Sequence, residues 1–472
     1  MKFRMLTLIA MALLLALLPV GNAFADPYDP NAPFALMPED LYAQAAVVMD
    51  ANSGRVLFDK NATEQVYPAS TTKIMTLLLA CEYGHLDETI TIPEEAADIS
   101  SDSSVVPVTP GETMRFIDLL YGLEMHSGND AANAVAVIVA GSIPNFVAMM
   151  NQRAQSLGME GTHYANAHGL HDAMHYTTAQ DLATLTAEAL KNDTFRQIVS
   201  TLSYEMPATE ERGPLWLSCS YDVMNPDNEL YYEGCIGVKS GFTSNAGQSF
   251  VGAAERDGLT LISVAMNCAS TNDDEAKRTK FVDTVRLLDF GFSQYDAYDF
   301  TTLFDLATEG TLVTMVQEAH QDDPYAGQLT LNASQISGNW QNKMVYGDEA
   351  ARTQAVQEFR QYLTVTIQPE VMAPVIGGQT LGSISYSDPE GNTMSGVLVA
   401  SRGVEAMTFW YKLSHNTIFR VCVAVLAVIL ALFILLRIRI TIVRTRRRKQ
   451  MMARKRRELE RYQREQRMRG KW

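Results

Sequence analysis

The chain has 472 residues, 47% of them apolar and 19% charged, with a formal net charge of −16. That length and apolar share exclude a disordered chain and leave room for two or more packed domains. The charge is unevenly placed: residues 437–472 hold sixteen Lys and Arg against three Glu, a formal +13, whereas residues 26–417 hold nineteen cations against fifty-one acids, a formal −32.

The first 25 residues have the order of a secretory signal peptide. Lys2 and Arg4 form a charged start, Leu6 to Val20 an apolar stretch, and Ala23-Phe24-Ala25 a small-residue cleavage site, so the mature chain is expected to begin at Asp26. No cysteine lies near that site, which argues against a lipoprotein. QAAVVMDANSGRVLFDK (44–60) reads as two short strands joined at Asn52-Ser53-Gly54. A helix follows from YPASTTKIMTLLLA, and further helices are expected from about Thr113 to Glu124, Asn129 to Ala140 and Ile143 to Ser156. Pro144 sits in the first turn of the last of these, where proline is tolerated. A loop rich in His and Gly leads to TTAQDLATLTAEAL, capped by Thr177 or Thr178. From Leu215 the runs CIGVKSG, QSFVGAAER and LTLISVAMN read as strands, and DEAKRTKFVDTVRLLDFGF as a closing helix.

Strands first, helices in the middle and strands last give an α+β layout: an antiparallel sheet whose hairpins flank a helical cluster. Beyond Tyr298, GTLVTMVQ, GQLTLNAS, YLTVTIQ, LGSISYS and SGVLVAS alternate and are divided by turns, which predicts a separate small β-sandwich-like domain. The expected divisions are 1–25 signal peptide, 26–296 first domain, 297–403 β domain, 404–417 juxtamembrane, 418–436 transmembrane helix and 437–472 basic tail. Ile418 to Leu436 carries one charge, Arg420, near its outer end, with Trp410, Tyr411 and Lys412 at the interface. The charge asymmetry predicts a single-pass protein of the cell membrane, with the tail in the cytoplasm and the acidic body outside. Stop-transfer beside anionic lipid accounts for the tail better than nucleic-acid binding does. Four cysteines, Cys81, Cys219, Cys235 and Cys268, lie in the exported part, and the sequence leaves open whether they are paired or free.

One short stretch demands chemistry. In Ser70-Thr71-Thr72-Lys73 the three-residue spacing puts a hydroxyl and an amine on one helix face. A serine hydroxyl becomes a good nucleophile only when a base takes its proton, and lysine is that base only when uncharged, which needs desolvation or a nearby cation. An S-x-x-K match arises about once by chance in a chain this long, and a capping serine with a snorkelling lysine explains it equally well. Two further motifs change the balance. Ser127-Gly128-Asn129 lies 57 residues after Ser70 at a junction of helices, and Lys239-Ser240-Gly241 lies 112 residues after Ser127 in a strand-like run. The ordered set S-x-x-K, S-x-N, K-[TS]-G is that of penicillin-recognising serine enzymes.

YPASTTKIMT, HSGNDAAN, GTHYANAHGLHDAMHYTTAQDLA and GVKSGFTSNAGQSF resemble the low-molecular-weight penicillin-binding proteins of D-alanyl-D-alanine carboxypeptidase type. The resemblance runs from about Ala45 to Phe292, and MAPVIGGQTLGSI resembles that family's C-terminal domain. It implies hydrolysis of the terminal D-Ala of peptidoglycan stem peptides, inhibition by β-lactams, and no metal or other cofactor. It further implies that Ser70 is the nucleophile, Lys73 its base and Ser127 a proton relay to the leaving nitrogen. Asn129 would orient Lys73 and the substrate amide, while Lys239 would hold the substrate carboxylate. Ser240 belongs to the same substrate-binding strand, Gly241 lets the strand approach, Phe242 supplies an oxyanion N–H beside that of Ser70, and Thr243 contacts the carboxylate. The family commonly has an arginine where this chain has Lys280, with Arg278 close by; lysine keeps the charge and loses the fork.

Three other readings compete. His163, His168, His171 and His175 crowd one segment, but without a metal-ligand spacing they fit loop histidines bonded to backbone. A serine β-lactamase shares the three motifs, yet no E-x-x-L-N lies between Ser127 and Lys239, and the β domain and anchor favour the carboxypeptidase. A β-lactam sensor that acylates without turnover would need an output domain, for which the basic tail offers little.

Overall fold

The structure, a computed structural model, describes residues 36–101 and 103–470. The expected signal peptide and the start at Asp26 lie outside the described residues. The chain divides into two compact units, one running to Phe304 and including Gln341–Glu358, the other formed by Asp305–Trp340 and the chain from Phe359.

In the first unit, strands β1 (Ala45–Asp50), β2 (Val56–Lys60), β3 (Cys235–Gly241), β4 (Ser249–Arg256) and β5 (Leu259–Met266) form one antiparallel sheet in the order β2-β1-β5-β4-β3. The first hairpin turns at the expected residues: Asp50 Oδ1 accepts from the Asn52 N–H at 2.9 Å. Alternate side chains enter two different cores, Val47 and Met49 on one face, Ala46 and Val48 on the other. Because both faces are covered, all eight residues of β5 are buried, and its sequence is a continuous apolar run broken only by Thr260 and Ser263.

Helices α1 (Lys73–Tyr83), α2 (Phe116–Met125), α3 (Asn129–Ala140), α4 (Ile143–Ser156), α5 (Ala179–Ala189) and α6 (Asp193–Val199) cover the first face. The second face is covered by α7 (Asp274–Ser293), which starts at a cap where Asp273 accepts from the Ala276 N–H at 3.0 Å. Its Phe281, Leu287, Leu288 and Phe290 are buried. At about 1.5–3 kcal/mol for each such side chain, this strip holds α7 on the sheet despite its polar outer face.

The sequence reading needs three corrections. Thr113–Arg115, expected to be helical, is a short strand paired with Thr89–Thr91, and α2 begins only where the apolar run starts at Phe116. Helix α6 and the strand pair Ser203–Met206 with Leu215–Ser218 were not anticipated. The segment expected to be all β contains two helices, Phe300–Thr308 and Glu349–Tyr362. EAARTQAVQEFRQY is built from Ala, Glu, Gln and Arg, strong helix formers that leave too few apolar positions to show a periodicity.

In the second unit, six strands lie in the order Leu363–Ile367, Thr380–Ser387, Thr393–Ala400, Gln328–Gly338, Val313–Gln317 and Val371–Met372, the last pair parallel and the others antiparallel. Phe359 stacks on Tyr386 with ring centroids 4.8 Å apart. The C-terminal helix Thr417–Arg469 is unbroken for 53 residues, and its most apolar window has a mean hydropathy of 3.1. Its apolar part, nineteen residues from Ile418 to Leu436, is about 28 Å long, enough to cross a bilayer. The helix therefore fits a membrane anchor, and it continues through the basic tail.

Candidate active site

Ser70 lies in a tight 3₁₀ turn, Ala69–Thr72, that runs directly into α1. In such a turn side chains three apart eclipse each other, so Lys73 is set over Ser70 more closely than an α-helix would manage. Lys73 Nζ is 3.0 Å from Ser70 Oγ, 2.7 Å from Asn129 Oδ1 and 2.9 Å from the His168 carbonyl oxygen. The serine does not cap the helix; its hydroxyl faces the amine instead.

The two carbonyl oxygens can only accept and take two N–H bonds, and the third contact runs from the amine to Ser70 Oγ; when the amine is uncharged, its lone pair is what faces that hydroxyl proton. Lys73 is fully buried, and burial, reinforced by the Lys239 charge, pushes its pKa well below the ordinary lysine value. Glu124 and Asp130 oppose the shift without reversing it. Lys73 beside Ser70 thus has both conditions that a lysine base requires, desolvation and a nearby cation.

The other expected residues gather around this pair. Asn129 is the first residue of α3 and is buried. Ser127 precedes it in the left-handed region, φ +55°, and its buried Oγ has no hydrogen-bond partner among the described residues. Lys239, 1% exposed, lies on β3, and Gly241 ends that strand. A methyl on Gly241 would stand 3.0 Å from both the Ser70 nitrogen and the Pro68 oxygen, so the glycine lets β3 close on the nucleophile. Ser240 and Phe242 are half-buried beside it. Thr243 Oγ1 accepts from the Ala246 N–H at 3.1 Å, which leaves its own proton to donate.

Lys280, on α7, donates to Gln248 Oε1 at 2.8 Å, and burial, with the Lys239 charge second, pushes its pKa down to about 8. Arg278 is not part of the site; it is exposed and paired with Glu229. Because Lys280 loses its charge as pH rises through about 8, kcat/KM for a carboxylate-ended peptide is expected to fall there. Lys280→Arg keeps the charge and should remove that limb, raising kcat/KM at pH 9 by several-fold over wild type, about the loss expected one pH unit above such a pKa. A pH series on both proteins checks it.

The histidines are in backbone and side-chain hydrogen bonds. His175 Nδ1 accepts from the Ala165 N–H at 3.0 Å, so its other nitrogen donates to Thr72 Oγ1 at 2.8 Å. His163 Nδ1 meets the Met174 carbonyl at 2.5 Å, and His171 sits edge-on to Tyr67. His168 matters through its main chain. Asn166 Oδ1 accepts from the N–H groups of His168 and Gly169, holding the turn that aims the His168 carbonyl at Lys73.

Gly169 has φ +94°, and a Cβ there would come within 1.8 Å of the Ala69 oxygen. Gly169→Ala is therefore expected to lower the melting temperature by about 5 °C or more and to displace the lysine's acceptor. A thermal melt checks it. The motifs do not single out this turn, and only the glycine next to a histidine in a polar loop hints at it. Cys81, Cys219, Cys235 and Cys268 are free thiols, Cys81 pushed up to about 12 and Cys235 to about 11 chiefly by burial.

The chain is similar to known proteins. A family model described as D-alanyl-D-alanine carboxypeptidase matches residues 32–270. The D-alanyl-D-alanine carboxypeptidase DacF of Bacillus subtilis is 33% identical over 262 residues, 54% of this chain and 64% of that protein, so the chain spans less than two thirds of the relative's own length. DacB2 of Mycobacterium tuberculosis is 34% identical over 254 residues, 53% of this chain and 82% of the relative. Among solved structures, Penicillin-Binding Protein D2 from Listeria monocytogenes in its ampicillin-bound form is 27% identical, covers 53% of this chain and 98% of its own, and has a TM-score of 0.45. With the family model matching about half of its length, the chain belongs to the D-alanyl-D-alanine carboxypeptidase family.

Proposed function

We propose that the protein is a membrane-anchored serine carboxypeptidase that removes the terminal D-Ala from peptidoglycan stem peptides through an acyl-enzyme on Ser70. The observation that carries this is a buried lysine amine with two carbonyl acceptors and one hydroxyl as partners. Ser70 Oγ attacks the carbonyl carbon of the penultimate D-Ala while its proton passes to Lys73 Nζ. Charge develops on the carbonyl oxygen, between the N–H groups of Ser70 and Phe242. As the C–N bond breaks, the leaving nitrogen takes a proton through Ser127, whose buried hydroxyl otherwise lacks a partner. Water then attacks the ester and Ser70 is restored. Lys239, Thr243 and Lys280 receive the terminal carboxylate, Asn129 and Ser240 flank the peptide, and Gly241 keeps β3 close enough for both contacts.

A β-lactam offers the same carbonyl in a strained ring and ends as a longer-lived acyl-enzyme. The first domain and the β domain, 26–296 and 297–403, stand outside the cell membrane, and the +13 tail (437–472) lies in the cytoplasm beside anionic lipid. The test is turnover. Purified protein is expected to release D-Ala continuously from an acyl-D-Ala-D-Ala peptide and to be labelled once by a fluorescent penicillin. A single stoichiometric burst without D-Ala release would make it a sensor, and rapid penicillin hydrolysis would make it a β-lactamase.

A further inference from the structure

Glu124 lies in the last turn of α2, three residues before Ser127, and is 3% exposed. Its Oε1 is 3.0 Å from Tyr221 Oη, and that oxygen is 3.4 Å from Lys239 Nζ. The chain of groups has one sense: the ammonium donates to the phenol oxygen, and the phenol donates to the carboxylate. The Tyr221 ring is fixed between Phe250 and Phe281, with centroids 5.0 and 6.3 Å away, so the hydroxyl cannot swing aside freely. Behind it lies a hollow of only about 10 Å³, walled by Ile198, Val199, Cys219 and Tyr221, too small to hydrate the carboxylate well.

We propose that Glu124, acting through Tyr221, is a positioning residue that keeps Lys239 protonated and aimed at the substrate carboxylate. The inference rests on the reading of Lys239 as that anchor. Burial pulls a proton off Lys239, and Glu124 is the foremost group that opposes it. The other titratable groups facing this site are Lys73 on α1 and Lys280 on α7, the His168 ring, its pKa lowered by burial, and the Cys219 thiol, its pKa raised by burial, which acts on Lys239 after Glu124. Burial raises the pKa of Glu124 itself, and Lys239 and Lys73 oppose that. Asp130 on α3 acts on Lys73 and Asp222 on Lys280. Glu124 acts on both Lys73 and Lys239, so its removal should lower both lysines together. Lys73 works when neutral and Lys239 when charged; the acid limb of the pH–rate profile and the Lys239 step of the alkaline limb must therefore both move to lower pH, while the Lys280 step near about pH 8 stays in place.

The experiment compares the full chain in detergent as wild type, Glu124→Gln and Tyr221→Phe. It measures kcat/KM for D-Ala release against pH, and acylation by a penicillin and by its methyl ester. In Glu124→Gln the acid limb and the Lys239 step are expected to slide acidward by about one pH unit or more. At pH 8 the peptide kcat/KM should drop about 10-fold, the factor that one pH unit represents, with the loss in KM. Preference for the free-acid penicillin over its ester should shrink by a similar factor. Tyr221→Phe, which keeps the aromatic packing, should move the alkaline limb the same way and carries the test if the Gln variant fails to fold. Activity lowered equally at every pH with the acid-over-ester preference intact would overturn the proposal, as would an unmoved profile. A wild type that neither releases D-Ala nor takes label would instead overturn the reading of the site, and this inference with it.

Discussion

Ser70→Ala is expected to give a folded protein that takes no penicillin label and releases D-Ala at least about 10⁴-fold more slowly, because no other hydroxyl meets the base. Ser70 is only half-buried, and its Oγ makes one contact, to Lys73. Its loss leaves the 3₁₀ turn intact, since the turn is held by Thr71 Oγ1 donating to the Pro68 oxygen at 2.7 Å. Lys73 then keeps two carbonyl acceptors and stays in place. Gel labelling and a D-Ala assay read the outcome, with an unchanged melt as the control. Label that persists would assign the nucleophile elsewhere, and Ser127 would be the next candidate.

Lys73→Met should slow acylation by about 10³-fold or more while the fold survives, since removing a positioned base typically costs 10²–10⁴-fold and Ser70 has no second one. Methionine fills the same buried volume without a desolvation cost, which offsets the two carbonyl oxygens it leaves unbonded, at about 1–3 kcal/mol each. The stability change should be small and the rate change large. The pH profile adds a signature. In wild type, burial and the Lys239 charge hold the Lys73 pKa well below the ordinary lysine value, so acylation is expected to fall as acid protonates it. In Lys73→Met that acid limb should vanish along with most of the rate. A variant that kept wild-type acylation would show that Lys73 is only packing, as the capping explanation of the motif would have it.

The three motifs were legible because each is local. Ser70 and Lys73 are three residues apart, and a one-turn spacing fixes their relation whatever the rest of the chain does. The five strands of the main sheet and most helices of the first unit were legible for the same reason, since their apolar periods run over four to twenty residues; the short α6 and the pair Ser203–Met206 with Leu215–Ser218 were not. Legibility ended where a polar helix such as Glu349–Tyr362 hides its period, and where a short strand such as Thr113–Arg115 owes its form to a partner two dozen residues away.

What the sequence determined by itself is the cast: a serine one turn before a lysine that does not belong in a core, a second lysine on a strand and an apolar helix long enough to cross a bilayer. The fold decided what surrounds each of them. Lys73 meets Asn129 at a separation of 56 residues and the His168 carbonyl at 95, and Tyr221 reaches Glu124 at 97. Such contacts leave no local pattern, because burial and the distance between charges set a pKa, and both are properties of packed elements, not of neighbours along the chain.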